Sequence, residues 1–237
     1  MKYIFSILIL SLCFGHTHGQ LSQWLPSSVR VGADPGTFYY AIFSEKRDFF
    51  EFEADVDINR FFLVANYGVS SYYIDPTTYT YENQGSYMRF GADINLMHDN
   101  LHNNVAFFGL RYGLSSFKDQ MDYDTQQIIQ SETGWPNTRE SVANDNVNAR
   151  WFEMVTGLKI RVIKQLYLGF TVRYKLFMEP GGATEFRPYY IPGFGKNINP
   201  SAFGFNYYVS YRLPFRKKTV FLDKNNEVIQ GNNESKD

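Results

Sequence analysis

The sequence predicts an all-β protein: an eight-stranded antiparallel up-and-down transmembrane β-barrel with a charge-filled lumen. Three observations carry this. Apolar and charged residues alternate with a period of two over long segments, the connections between these segments alternate between short and long, and an export signal precedes them all. Successive strand side chains point to opposite faces, so each such segment has one greasy and one polar face. The chain has 237 residues, 44% hydrophobic and 18% aromatic, enough for a sizeable core and too aromatic for general disorder. Lys and Arg total 23 against 24 Asp and Glu, without basic blocks, so no nucleic acid partner is expected.

Residues 1–20 read as a cleaved signal peptide. Lys2 precedes the apolar run Tyr3 to Phe14 and the small, polar stretch Gly15 to Gln20, with cleavage near Gly19. The apolar core, about a dozen residues, is shorter than the ~20 that a spanning helix needs. Cys13 is the single cysteine and lies inside this segment. Leu12 before it is too large for a lipoprotein cleavage site, and the mature chain is left without disulfides.

The barrel is assigned to residues 21–215. Its first strand lies within Val29 to Phe43. The second alternates Phe50, Phe52, Ala54, Val56 and Ile58 with Glu51, Glu53, Asp55 and Asp57, which puts four carboxylates on one face. The third lies within Phe61 to Tyr73. The fourth sets Met88 to Leu96 against Arg89, Gly91 and Asp93, and the fifth sets Phe108 to Leu114 against Gly109, Arg111 and Gly113. The sixth, Phe152 to Val162, carries Glu153, Gly157, Lys159 and Arg161. The seventh, Leu168 to Leu176, carries Arg173 and Lys175, and the last, Phe203 to Leu213, carries Arg212. The links Asn59-Arg60, Met97 to Asn103 and Lys164-Gln165 are short or modest, whereas Ile74 to Gly85, Phe117 to Val147 and Met178 to Pro200 are long. Only the first hairpin, around Ser44 to Arg47, breaks the alternation. Membrane barrels of this type have short periplasmic turns and long outer loops, and an even strand count returns both ends to the periplasm. Residues 216–237 then form a periplasmic C-terminal tail.

Alternation by itself leaves open a soluble, lipocalin-like ligand-binding barrel with a greasy lumen. Three features favour the membrane. The apolar faces are large and almost uninterrupted. Glycines on the charged faces (Gly32, Gly68, Gly91, Gly109, Gly113, Gly157, Gly169, Gly204) make room for long charged chains. Tyr39, Tyr40, Tyr72, Tyr73, Trp151, Tyr207 and Tyr208 lie mainly toward strand ends, as interfacial girdles do. The lumen then holds Arg30, Arg89, Arg111, Lys159, Arg161, Arg173, Lys175 and Arg212 against Asp34, Glu51, Glu53, Asp55, Asp57, Asp93 and Glu153. It is close to neutral. Strand directions set Asp55 and Asp57 level with Lys159 and Arg161, and Glu51 and Glu53 level with Arg173 and Lys175. Salt bridges across a closed, non-conducting interior are therefore expected, since an unpaired buried charge is costly.

The sequence offers little chemistry. Arg30-x-Gly32-x-Asp34 echoes Arg89-x-Gly91-x-Asp93, read as a repeated packing solution with each Arg folding over Gly toward a carboxylate. Beyond the signal peptide the only histidines are His98 and His102, both in a periplasmic turn, so the serine-histidine pair of an outer-membrane lipase is missing from the outer loops. His98, Asp99 and His102 are better read as solvated turn residues than as metal ligands, and the carboxylate ladder as structural pairing rather than an acid-base pair. Gly181-Gly182 and Gly193 to Lys196 lack the strand-loop-helix setting of a phosphate cradle. No catalytic residue, metal or cofactor is assigned. The loop carrying Arg187, Tyr189, Tyr190, Ile191, Phe194 and Lys196 is too apolar to be idle, and either caps the barrel mouth or meets a partner. The tail, with Arg216-Lys217-Lys218 before Thr219 to Leu222, is read as a disordered terminus or as a strand that docks on a periplasmic partner.

Arg30-x-Gly-x-Asp34, Arg89-x-Gly-x-Asp93, Gly109-Leu-Arg-Tyr-Gly113, Gly157-Leu-Lys159, Pro188-Tyr-Tyr-Ile-Pro-Gly-Phe-Gly-Lys196 and Phe205-Asn-Tyr-Tyr208 together resemble a Bacteroidota family of small secreted outer-membrane barrels of unknown function. The likeness covers almost the whole mature chain. It implies an outer-membrane location in a Gram-negative cell and brings no activity. The expected role is that of a non-enzymatic barrel, a structural or accessory subunit of an envelope assembly. Its expected partners are outer-membrane lipid and other envelope proteins met through the outer loops or the tail. An outer-membrane enzyme acting on lipid or glycan is the alternative, and the soluble ligand-binding barrel the third reading.

Overall fold

A computed structural model describes residues 24–37, 47–97, 103–124, 139–178 and 185–215, and the backbone pairs 221–222 and 228–229. The signal peptide, Tyr39, Tyr40, His98, Asp99, His102, Gly181-Gly182 and the basic start of the tail lie outside the described residues. In chain order the strands are β1 (Ser28–Ala33), β2 (Arg47–Ile58), β3 (Phe61–Ile74), β4 (Tyr79–Asn95), β5 (Val105–Asp124), β6 (Arg139–Ile163), β7 (Leu166–Phe177), β8 (Tyr190–Ile191), β9 (Gly195–Lys196), β10 (Ser201–Pro214), β11 (Phe221–Leu222) and β12 (Val228–Ile229). Eight of them close into a barrel in the order β1-β10-β7-β6-β5-β4-β3-β2. All pairs are antiparallel, and the first and last barrel strands meet at Ser28↔Pro214. β8 and β9 form a small hairpin, as do β11 and β12.

The period-two pattern sets which way each face points. Phe52, Leu110, Phe203 and Phe205 project outward, 58–68% exposed, while Glu51, Arg89, Arg111 and Arg173 are 3% exposed or less. In water this would be untenable. A contiguous band of such side chains round the whole barrel far exceeds the few hundred Å2 of apolar patch that soluble monomers usually expose. The aromatic and aliphatic wall therefore faces hydrocarbon, and the lipocalin-like alternative, which needs it turned inward, is corrected. Leu110 lies near mid-depth on this wall. Leu110→Arg is expected to cost about 2–4 kcal/mol in denaturant unfolding from lipid vesicles.

The turns at the end shared by both termini are tight. Ile58↔Phe61 leaves only Asn59-Arg60, and Ile163↔Leu166 leaves only Lys164-Gln165. Asn59 and Lys164 reach φ 59° and 46°, the left-handed backbone that closes so short a link. At the other end the predicted loops are partly strand. β4 begins at Tyr79, and β5 and β6 run 20 and 25 residues, far beyond the about 9–11 that cross a bilayer. Backbone pairing continues where apolar alternation stops, because above the membrane neither face has to be greasy. This projecting crown ends β5 at Asp124 and begins β6 at Arg139.

β1 is shorter than predicted. It stops at Ala33, because Pro35 has no amide hydrogen and Asp34 closes a turn: its Oδ1 accepts from Gly36 N (2.8 Å) and its carbonyl from the Thr37 hydroxyl (2.6 Å). β1 therefore pairs with β10 only over Val209 to Pro214, and with β2 only over Phe52 to Asp57. Above Ala33, no described strand lies between Arg47 to Glu51 of β2 and Ser201 to Tyr208 of β10.

The charged lumen and its cap

The ladder on β2 organises the interior. Each carboxylate lies at a different depth and takes cations from other strands. At the mouth formed by the tight turns Asp57 meets Arg212 of β10 at 3.5 Å, and Arg212 Nε donates to Ser28 Oγ (2.8 Å). Next, Asp55 is held by Arg30 of β1 (2.9 Å) and Lys159 of β6 (2.6 Å), and the Arg30 guanidinium lies over the Phe62 ring. Glu53 shares Lys159 (2.7 Å) and takes Arg111 of β5 (3.3 Å); Arg111 also grips Asp93 (2.9 Å) and donates to Asn66 Oδ1 of β3 (2.7 Å). Glu51 is paired with Arg89 of β4 and with Arg173 of β7 (3.6 Å), and accepts from the hydroxyls of Tyr87 (2.5 Å) and Tyr208. Beside it Glu153 accepts from Arg173 (3.1 Å) and from Trp151 Nε1 (2.7 Å). One strand is thus tied to every other strand of the barrel.

Of the fifteen lumen charges expected from the sequence, the structure buries Arg30, Asp34, Glu51, Glu53, Asp55, Asp57, Arg89, Asp93, Arg111, Glu153, Lys159, Arg173 and Lys175, with Arg212 half-buried at the mouth. Arg161 is a correction. It keeps the inward parity opposite Tyr167 but is exposed past the barrel floor, next to a register shift between Arg161 and Ile163, and Arg212 takes the Asp57 expected for it. Lys175 is a second correction. Instead of a β2 carboxylate it finds the carbonyls of Gly193 (2.7 Å) and Phe194 (3.1 Å). The Arg-Gly-Asp echo is also not two internal pairs. Arg30 meets its in-register neighbour Asp55 on β2, Arg89 reaches over β3 to Glu51, and Asp34 accepts from Asn206 (2.7 Å).

The loop after β7 turns back into the barrel mouth. Phe194 packs on Trp151 and Phe177 (ring centroids 6.1 and 5.2 Å apart), and Tyr190 stacks on Tyr72 at 4.5 Å. Tyr190, Ile191 and Phe194 are buried, while Arg187 and Lys196 remain at the surface and Tyr189 is half-buried, edge-on to Tyr81. Gly193 and Gly195 have φ of 79° and 114°, backbone that other residues rarely adopt. A polar brace in the crown holds the cap: Tyr190 N donates to the Tyr81 hydroxyl (3.1 Å), Asn83 Nδ2 donates to the Tyr190 carbonyl (3.0 Å), and Tyr81 and Asn144 both donate to Asp119 (2.9 and 2.8 Å). Of the two roles expected for this loop, the geometry is that of a cap. Burial pushes the Asp119 carboxyl above the usual aspartate value, against hydrogen bonds from Asn144 and Tyr81 that lower it. The folded crown therefore keeps this proton to higher pH than the unfolded chain does. Its protection against amide exchange is expected to fall as pH rises past the ordinary aspartate range and then level off, a dependence that Asp119→Asn removes.

Several residues that shape the site were not singled out. Trp151 and Tyr208, expected in the interfacial girdles, are fully buried inside, as Tyr87 is, and each shares the inward parity of a charged or polar neighbour two positions away, Glu153, Asn206 and Arg89. Glycine makes space for these rings as well as for charges. A Cβ on Gly68 would strike Tyr87 and one on Gly113 would strike Trp151, whereas one on Gly109 would strike Asp93. Asn144 was invisible to a period-two reading, because a register shift between Phe117 and Asp119 changes the parity of β6 above it.

Among solved structures, the N-terminal β-barrel domain of Pseudomonas aeruginosa OprF is similar at 10% identity and a TM-score of 0.34, over 80% of this chain and 100% of that one. Neisserial surface protein A (NspA) is similar at 12% identity and a TM-score of 0.34, over 80% of this chain and 96% of that one. At this distance the fold assignment rests on the closed register itself. No curated protein matches the sequence. Residues 1–218 match the family described as Domain of unknown function (DUF6048), and the chain belongs to that family.

Proposed function

We propose that this protein is a non-enzymatic barrel of the outer membrane of a Gram-negative, Bacteroidota cell, exported through the general secretory pathway. Its lumen is closed and it serves as a structural or accessory subunit of an envelope assembly. The supporting observation is the combination of a hydrocarbon-facing wall with an interior in which most charges are paired and over which Phe194 packs on Trp151. Closed barrels and helix bundles are the two ways to span a bilayer with every backbone group satisfied. An eight-stranded barrel has room for side chains and little else. The charged groups are neutralised by one another instead of being held ready for a reaction. Contacts with partners fall to the outer wall, the crown and the periplasmic tail.

Two measurements test this reading. In planar bilayers the folded protein is expected to show no stable conductance, and a large, persistent open level would overturn the closed lumen. Purified in mild detergent, it is expected to run as a complex of fixed stoichiometry. A chain that stays a lone barrel in membranes extracted from its own cell would overturn the subunit role.

A further inference from the structure

The apolar wall has a definite limit on the crown side. Along β6 the outward residues run Ile160, Leu158, Thr156, Met154 and Phe152, and the next one is Arg150. On β5 Leu114 is followed by Ser116 and Lys118, and on β4 Met88 gives way to Ser86 and Gln84. These changes fall on adjacent strands in paired register: Met88↔Leu114↔Arg150 is one row, and Ser86↔Ser116 belongs to the next outward row toward the crown. Hydrocarbon contact ends here, at the level of lipid headgroups.

At that level the outer face carries a hollow of about 520 Å3. Its floor is made by β3, β4, β5 and β6, which are paired with one another throughout this stretch. One part of the lining is apolar, with Tyr67, Met88 and Leu114, and the other is polar, with Ser86, Ser116 and Arg150. The hollow exists because two serines stand side by side among larger chains. No carboxylate lines it, and Arg150 is its one charged group. Lys118 follows two positions beyond Ser116 on the same face of β5, about 7 Å along the strand. Neither cation makes an ion pair among the described residues, and the Ser86 and Ser116 hydroxyls make no hydrogen bond among them.

This chemistry selects a phosphate. A guanidinium presents a planar fork that takes two phosphate oxygens at once. A carboxylate would be used up by that fork, whereas Ser116, diagonal to Arg150 across the strand pair, and Lys118 beyond it suit a head with further oxygens. Cations at a membrane surface are attracted to anionic lipid heads, and the apolar part of the hollow leads from this head straight onto the wall. We propose that the hollow seats the phosphate of a membrane lipid from the leaflet on the crown side. Arg150 holds the phosphate, with Ser116 and Lys118 beside it, and an acyl chain descends over Leu114, Met88 and Tyr67. The proposal rests on the membrane reading of the wall and names a partner for it.

The test uses the full chain folded in neutral maltoside micelles, with heat-modifiable gel mobility as the check on barrel closure. A chain that never forms the closed barrel defeats the membrane reading, whereas the binding results concern the site. Dioleoyl phosphatidic acid is expected to bind saturably, one per chain. Dioleoylglycerol, with the same chains and no phosphate, is expected to bind about tenfold more weakly or worse. Arg150→Gln is expected to weaken phosphatidic acid by about fivefold. Arg139→Gln, at the far end of β6, is expected to leave it unchanged. Ser116→Trp fills the hollow with a ring that the interfacial level tolerates, and is expected to abolish saturable binding. Equal binding of the two lipids, undiminished binding by a folded Arg150→Gln or Ser116→Trp barrel, or uptake that never saturates overturns the site. Inorganic phosphate binding as tightly as phosphatidic acid overturns the lipid and leaves a site for free anions.

Discussion

Glu51→Gln is expected to lower the unfolding free energy by about 3–5 kcal/mol, the usual cost of removing one partner from a buried ion pair. Glu51 is the point where Arg89, Arg173, Tyr87 and Tyr208 converge, so losing its charge leaves two guanidinium groups short of a counter-ion in a buried layer. Denaturant unfolding from lipid vesicles measures the loss. A double variant, Glu51→Gln with Arg89→Met, is expected to lose less than the sum of the two single changes, since each removes the partner whose absence makes the other costly. Additive losses would mean that the layer is solvated and that the interior is open to water.

The second large effect concerns the cap. Phe194→Ala removes a buried ring from the cluster of Trp151, Ile191 and Phe177, and such truncations cost about 3–5 kcal/mol. Because the cap is a hairpin of only two paired residues per strand, the loss is expected to fall locally. Exchange of the Phe194 and Asn197 amides, which donate to the carbonyls of Ile191 and Tyr189, should speed up by about a hundredfold or more, while the amides of β4 and β5 hold their rates. Uniform acceleration across the barrel would show instead that cap and wall open together. Even uncapped, the lumen stays blocked by the Glu51 layer, so Phe194→Ala is expected to remain non-conducting.

Much of this was legible in the sequence because alternation in a barrel is a direct readout of inside and outside. The four carboxylates of β2 and their partners Arg30, Arg89, Arg111, Lys159 and Arg173 could be placed on one face without any coordinates. Depth was less legible. Arg161 lies past the floor of the barrel, and Lys175, although level with Glu51, is drawn to the cap's carbonyls instead of a carboxylate. The crown was least visible, since above the membrane neither face of a strand has to be apolar and the pattern fades while the hydrogen-bonded ladder continues. Trp151 and Tyr208 were read by residue type, as interfacial aromatics, although their parity already set them inside.

The ladder on β2 also bears on how the molecule is made. Its four acids find their cations on β1, β4, β5, β6, β7 and β10, strands separated by most of the chain's length. A half-built sheet entering lipid would carry ionised groups whose counter-ions had not yet arrived, a state far less favourable than either the finished barrel or the chain in water. Biogenesis is thereby pushed toward a single concerted event, in which the sheet curls shut before or as it enters the membrane, and the unfolded polypeptide has to be held in water until all eight staves can be joined at once.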